Sequence, residues 1–279
     1  MICFPNAKIN LGLNIVSKRT DGYHNLETVF YPIGLKDALE IVPFNTSVSD
    51  VKSVPTEGYR FFQTGIEILG SDTDNLVIKA LKLISEEKDI PPIDIHLLKK
   101  IPFGAGLGGG SSDAAFMLKL LNETFSLNYT DVELEQKATK IGADCPFFVK
   151  NKPAFATEIG NELTEIELDL SNYFFLLVKP DVFVSTKDAY AMVSPREPEF
   201  SLREIVKKPI SEWKELMKND FEPSVFKKYP QICKIKEQLY DSGALYASMS
   251  GSGSSVFGFF EKETDVNFDN CFVWTNKEF

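Results

Sequence analysis

A chain of 279 residues with 43% hydrophobic and 25% charged side chains describes a globular protein of one large domain or, preferably, two ordinary ones, with enough length for a substantial core. Its net charge of −10 excludes a basic nucleic-acid face, so no nucleic acid is expected as a partner and any anionic ligand has to be captured locally. Apolar runs too short for a bilayer, no secretory leader in the opening Met1-Ile2-Cys3-Phe4, four dispersed cysteines and two histidines point to a cytoplasmic protein without membrane partner, zinc site or disulfide framework.

From Ala7 to Ile15 apolar and polar residues alternate, which predicts a half-buried strand with Lys8, Asn10, Gly12 and Asn14 on the outer face. Thr20-Asp21-Gly22 is a turn, and a second strand follows through Val29, Phe30 and Tyr31. Further strands are expected at Leu39 to Val42 and Tyr59 to Thr64, then an amphipathic helix over Leu76 to Ile84 with cap chemistry from Asp72-Thr73-Asp74. Ile93, Ile95 and Leu97 alternate as a strand just before a glycine-rich run. Thr130 and Glu133 form a capping box for a helix to about Ile141, stopped by Gly142. Gly160-Asn161 signals a two-residue hairpin, Phe174 to Val178 a buried strand, and Ser185 with Asp188 a second capping box. Helices punctuated by Pro209, Pro223 and Pro230 run from Ser201 to about Leu239, followed by strand, small-residue turn and strand over Ala244 to Phe260. Strands and helices mix without regular βαβ alternation, so the expected class is α+β.

The run Gly104-Ala105-Gly106-Leu107-Gly108-Gly109-Gly110-Ser111-Ser112-Asp113 opens a helix through Met117 and Leu121. Bare backbone approaches a phosphate closely, and the amides of a helix start favour negative charge, so a nucleotide phosphate is the expected guest. It is not a Walker A loop, because Gly110 stands where Lys belongs, and it is not a dinucleotide fingerprint, because Lys99 to Phe103 separate it from the preceding strand. The protein-kinase tripeptides HRD and DFG are absent from the sequence.

Three segments taken together, Pro5-Asn6-Ala7-Lys8-Ile9-Asn10-Leu11, Pro102 through Asp113, and Ser250-Gly251-Ser252-Gly253-Ser254-Ser255, resemble the GHMP kinases in order and spacing. Within that superfamily, Arg19-Thr20-Asp21-Gly22-Tyr23-His24-Asn25-Leu26 and Ile141-Gly142-Ala143-Asp144-Cys145-Pro146 are similar to the branch that phosphorylates a cytidine diphosphate-linked methylerythritol in non-mevalonate isoprenoid biosynthesis. The resemblance implies a two-domain GHMP kinase fold: an ATP-binding, ribosomal protein S5 domain 2-like N-terminal domain over 1–155, and a ferredoxin-like substrate-binding domain over 156–279.

The same resemblance implies that Asp144 takes the proton of the substrate hydroxyl, with Lys8 as the cation beside it, a pairing that would keep Asp144 ionised. It places Asn10, Tyr23, His24, Phe30 and Tyr190 around the cytidine-bearing substrate, with core packing as the rival explanation for Phe30 and Tyr190. Asn75 and Lys99 would lie near adenine, and Pro102, Gly104, Gly106, Leu107, Gly108, Gly109, Gly110, Ser111 and Ser112 would surround the phosphates. Mg²⁺ is expected with the ATP co-substrate, its ligands unassigned. Asp113 stands where some relatives carry Asn; a carboxylate there has either to meet Mg²⁺ or to face away. A GHMP kinase for another alcohol, such as homoserine or a mevalonate derivative, and a non-catalytic sensor of the same fold are the alternatives.

Overall fold

The alternating N-terminal pattern does become a strand, and a long one. In the computed structural model, which describes residues 1–44, 58–67 and 72–277, a short β1 (Ile2–Cys3) precedes β2 (Asn6–Lys18). Its expected outer face is not solvated, since Lys8 is 4% and Asn10 3% exposed, which corrects the half-buried reading. The chain divides into two compact units: Met1–Ala7, Leu35–Phe103 and Gly108–Asn151 form the first, and Lys8–Gly34, Gly104–Leu107 and Lys152–Phe279 the second.

In the first unit, β4 (Ala38–Pro43), β5 (Tyr59–Gly65) and β6 (Ile93–Lys99) join β1 in the order β1-β4-β6-β5. β4 is antiparallel to β6 with Ile41 opposite Ile95, and β5 runs parallel to β6. Helices α1 (Leu76–Ser85), α2 (Gly109–Thr124), α3 (Asp131–Ile141) and α4 (Phe147–Lys150) pack around α2, which also touches β4. The apolar faces read from the sequence form the core here: Leu39, Ile41, Ile95, Ile78, Ile84, Leu118 and Leu121 are fully buried. Each such side chain contributes about 1.5–3 kcal/mol on leaving water.

The second unit holds two four-stranded sheets. One runs β2-β3-β7-β8, with β3 (His24–Lys36), β7 (Ala154–Thr157) and β8 (Glu162–Glu165). The other contains β9 (Phe174–Pro180), β10 (Tyr246–Met249), β11 (Val256–Phe260) and β12 (Cys271–Thr275) in the all-antiparallel order β10-β11-β9-β12. That is a ferredoxin-like order, the first strand of the set lying between the third and the fourth. Between β9 and β10 lie α5 (Thr186–Tyr190), α6 (Leu202–Ile205), α7 (Ile210–Leu216), α8 (Glu222–Lys228) and α9 (Pro230–Asp241). Pro209 precedes α7, while Pro223 and Pro230 sit in the first turns of α8 and α9, where a missing N–H costs nothing.

Local cap signals were accurate in part. Thr130 and Glu133 make both bonds of a capping box, and Gly142 closes α3. The cap of α1 is Asn75, whose side chain accepts from the Val77 amide, while Asp72–Asp74 form a 3-10 turn ahead of it. The Gly160-Asn161 hairpin is wider than two residues, because Thr157 pairs with Glu162 and both Glu158 (φ 57°) and Gly160 (φ 98°) turn the chain. Among the described residues no helix is long and apolar enough to cross a membrane.

Candidate active site

The glycine run is shared between the units, so each half is held by different neighbours. In the second unit, the Lys8 amide donates to the Leu107 carbonyl at 2.9 Å, and the Ser255 amide donates to the Ala105 carbonyl at 3.2 Å. The Ser250 hydroxyl donates to the Gly106 carbonyl at 2.8 Å and accepts from the Asn10 amide at 3.2 Å. Gly106 has φ +76°, and a Cβ there would stand 2.0 Å from the Ser250 carbonyl oxygen, so only glycine permits this approach. All three sequence segments that carried the family resemblance thus contribute to this one cluster.

Lys8 projects from β2 onto Asn10, its Nζ donating to Oδ1 at 2.6 Å. Asn10 Nδ2 donates in turn to Thr28 Oγ1, and Thr28 donates to the Gly12 carbonyl. The ammonium also lies 4.6 Å from the centre of the Phe30 ring, an arrangement that favours the cation. Elsewhere in this unit His24 stacks on Tyr190 with centroids 4.8 Å apart, and Tyr190 meets Phe221 edge to face. Burial raises the pKa of the Tyr190 phenol, so it stays neutral. Tyr23, next to this pair, is 63% exposed.

In the first unit, α2 begins differently from its neighbours. Its N-cap is Gly108, in a left-handed conformation (φ 68°) and without a side-chain cap, whereas Asn75 and Thr130 cap α1 and α3. The amides of Gly109, Gly110 and Ser111 have no intrahelical partner, which leaves a helix start suited to an anion. The Ser111 side chain lies close enough to the Cys145 thiol to lower its pKa against burial, which sets this first turn beside the Gly142–Pro146 turn that carries the half-buried Asp144. Burial pushes the Cys145 thiol up to about 12, so it is a structural thiol and not a nucleophile.

Residues 75–152 match the model of the GHMP kinases N terminal domain and residues 201–268 that of the GHMP kinases C terminal. A 4-diphosphocytidyl-2-C-methyl-D-erythritol kinase from Parabacteroides distasonis is 58% identical over 278 residues, 98% of each chain, and one from Bacteroides fragilis is 58% identical over 277 residues. The chain belongs to the 4-diphosphocytidyl-2-C-methyl-D-erythritol kinases of the GHMP superfamily. A crystal structure of a 4-(cytidine 5'-diphospho)-2C-methyl-D-erythritol kinase, 30% identical, covers 93% of this chain and 90% of its own with a TM-score of 0.77. Methanococcus jannaschii mevalonate kinase, 14% identical over 99% of this chain and 97% of its own, shares the fold with a TM-score of 0.66.

For a GHMP kinase, the placement of Lys99 and Asp113 is the least expected feature. Lys99 is 2% exposed, with its ammonium against the carboxylates of Asp37 and of Asp113, the latter at 2.6 Å. Asp113 therefore faces inward, which resolves the alternative left open by the sequence. Burial first, and then the like charge of Asp37, raise its pKa to about 7 against the pull of Lys99. Burial draws the Lys99 pKa down, but Asp113 and Asp37 more than offset it and hold it above the ordinary lysine value. Because the folded pKa of Asp113 exceeds its unfolded value near 3.8, the native state binds the extra proton, and stability is lost as pH rises between those two values. The melting temperature of the wild type is expected to fall relative to Asp113→Asn from about pH 4 to about pH 7 and then to level off. A pH-independent difference, read by calorimetry, would show that Asp113 titrates normally.

Of the remaining nucleotide candidates, Pro102 and Leu107 are buried, Gly104 to Gly110 form the run itself, and Ser112 is fully buried with a hydroxyl that lacks a hydrogen-bond partner among the described residues. Sequence reasoning missed Asp37 and Asn219. Asn219 is buried and its Nδ2 donates to the carbonyls of Met249 and Gly251, both at 2.8 Å, which fixes the turn that holds Gly106. Neither lies in a recognisable motif; their roles come from pairings across the chain.

Proposed function

We propose that this kinase transfers the terminal phosphoryl group of ATP to the 2-hydroxyl of 4-(cytidine 5'-diphospho)-2-C-methyl-D-erythritol, giving the 2-phosphate and ADP, a step in non-mevalonate isoprenoid precursor synthesis in the cytoplasm. The observation that carries this reading is the 58% identity over 98% of the chain to relatives that bear this activity in their name. In this reading 1–155 is the ATP-binding domain, which also lends Asn10, Tyr23, His24 and Phe30 to the substrate, and 156–279 is the substrate-binding domain.

The acceptor is a tertiary alcohol, a hindered nucleophile, so a base within hydrogen-bond reach and fixed positive charge near the moving phosphoryl group both lower the barrier. Asp144 is the base and Lys8 the cation. Support for Asp144 comes from its turn lying beside the first turn of α2, with Cys145 close to Ser111. Support for Lys8 comes from its fixed geometry, since Asn10 and the Phe30 ring hold the ammonium. The uncapped start of α2 receives the phosphates, with Pro102, Gly104, Gly106, Leu107, Gly108, Gly109, Gly110, Ser111 and Ser112 around them, and Asn75 and the main chain of Lys99 belong to the adenine side, the Lys99 side chain being buried against Asp37 and Asp113. Mg²⁺ on a triphosphate takes most of its ligands from phosphate and water and needs one or two protein oxygens. The unpartnered Ser112 hydroxyl in the first turn of α2 fits that need, and the ion's contribution is to neutralise phosphate charge.

His24 and Tyr190, with Tyr23 beside them, Phe30 under Lys8, and Asn10 form the substrate side. Stacking on a pyrimidine is worth about 1–3 kcal/mol. Tyr190→Ala is therefore expected to raise KM for the cytidylylated acceptor by about tenfold or more while KM for ATP stays unchanged. Equal KM values for the acceptor in variant and wild type would remove Tyr190 from recognition. The reading as a whole is tested by ADP release with a panel of acceptors: turnover is expected with the cytidylylated methylerythritol and not with homoserine or mevalonate. Turnover of another alcohol would mark a different GHMP kinase, and ligand binding without any turnover a sensor.

A further inference from the structure

Asp37, 1% exposed, Lys99, 2%, and Asp113, 2%, form a buried ionisable cluster in the first unit that the chemistry above does not use for proton or phosphoryl transfer. The two oxygens of Asp37 have separate tasks. Oδ1 accepts from the backbone amides of Lys100 at 2.5 Å and Ile101 at 2.9 Å, the residues that lead from β6 into the glycine run. Oδ2 accepts from Lys99 Nζ, which also donates to Asp113 Oδ2, just past the first turn of α2. Asp37 is itself anchored, its amide donating to the Pro5 carbonyl at 2.8 Å. The helix start sits hard against this segment, for a Cβ on Gly109 would lie 2.8 Å from Ile101 Cγ2 and 3.5 Å from Lys99 Nζ.

Such a cluster is a poor source of stability, because burying charges costs several kcal/mol each and apolar replacements of similar volume are often as stable. What it does supply is direction: two amides and one ammonium are held by a single carboxylate at the point where the chain enters the phosphate-binding turn. We propose that Asp37 is a positioning residue for nucleotide binding: one oxygen fixes the backbone that enters the glycine run, and the other, through Lys99 and Asp113, fixes the N-terminal end of α2. On this arrangement the Lys99 side chain acts from inside the fold and not by touching the nucleotide. The inference rests on the reading of the α2 start as the ATP phosphate site.

The test uses the full chain with Asp37→Asn and Asp37→Ala, measuring the Kd for Mg-ADP by calorimetric titration, KM for ATP and for the cytidylylated acceptor, and the melting temperature. Asn keeps an acceptor for the two amides but offers Lys99 no anion, and Ala removes both links. ATP KM and ADP Kd are expected to rise by about threefold in the Asn variant and about tenfold or more in the Ala variant, the acceptor KM staying constant. Lower melting temperatures with wild-type nucleotide affinity would reduce Asp37 to a structural role and overturn the inference, as would a parallel rise of both KM values. Should the Ala variant fail to fold, an Asn variant with wild-type affinity for ATP overturns it alone. A wild type that binds no Mg-ADP would overturn the nucleotide-site reading and this inference with it, whereas binding equal in wild type and variants overturns only the inference.

Discussion

Asp144→Asn is expected to lower kcat by about 100- to 10,000-fold, the range for loss of a general base, while ATP and acceptor still bind with near wild-type affinity. The amide has the size of the carboxylate but cannot take the hydroxyl proton. The turn is expected to survive the substitution, because the Cys145 amide donates to the Gly142 carbonyl and the Cys145 side chain lies beside Ser111, and neither contact involves the Asp144 carboxylate. Single-turnover kinetics beside equilibrium binding separate the two effects. A variant with wild-type turnover would remove Asp144 from the mechanism, and one that loses binding and turnover together would make it a binding group.

Gly106→Ala is the second substitution with a large expected effect. The left-handed conformation alone costs a non-glycine residue roughly 1–2 kcal/mol, and the added Cβ would also stand 2.0 Å from the Ser250 oxygen and 2.9 Å from its carbon. Those are backbone atoms, so relief requires the Ser250–Ser255 turn or the glycine run to move. Asn219 clamps that turn, and Ser250 bonds the Asn10 amide, so the displacement would reach the strand that bears Lys8. ATP KM is expected to rise by about tenfold or more, together with a lower melting temperature. Gly22→Ala is the control, since Gly22 shares a positive φ of +90° but a Cβ there meets nothing within 4 Å. Equal effects at Gly22 and Gly106 would show that backbone strain, and not the close approach, is what matters.

Much of this architecture is legible locally. The Thr130/Glu133 box, the Gly142 stop, the strand alternation at Ile93 to Leu97 and the small-residue turn at 250–255 each depend on neighbours a few residues away, and each element forms where its pattern lies. Features set by distant partners were not legible. Nothing local announces that Asp37 meets Lys99, 62 residues on, or that the polar face of β2 is covered. The short β1 and β12 are extended by pairing with β4 and β9 and have no strong pattern of their own. The inward turn of Asp113 belongs to the same class, because a carboxylate in a phosphate-binding run reads as a ligand until its buried lysine is seen. Expectations for Tyr23, His24, Phe30 and Tyr190 came from family resemblance, and physical reading adds only which rings meet: His24 with Tyr190, and Phe30 with the Lys8 ammonium.

The most direct test of the central claim is phosphorus NMR of the product formed from ATP and the cytidylylated methylerythritol. Carbon 2 of the acceptor bears a methyl group and no hydrogen, so phosphorylation at its hydroxyl predicts a new monoester signal without three-bond coupling to a proton, growing in step with ADP. A signal split by a neighbouring CH or CH₂ would place the phosphate on another hydroxyl, and the absence of any new monoester while ATP remains bound would contradict the account.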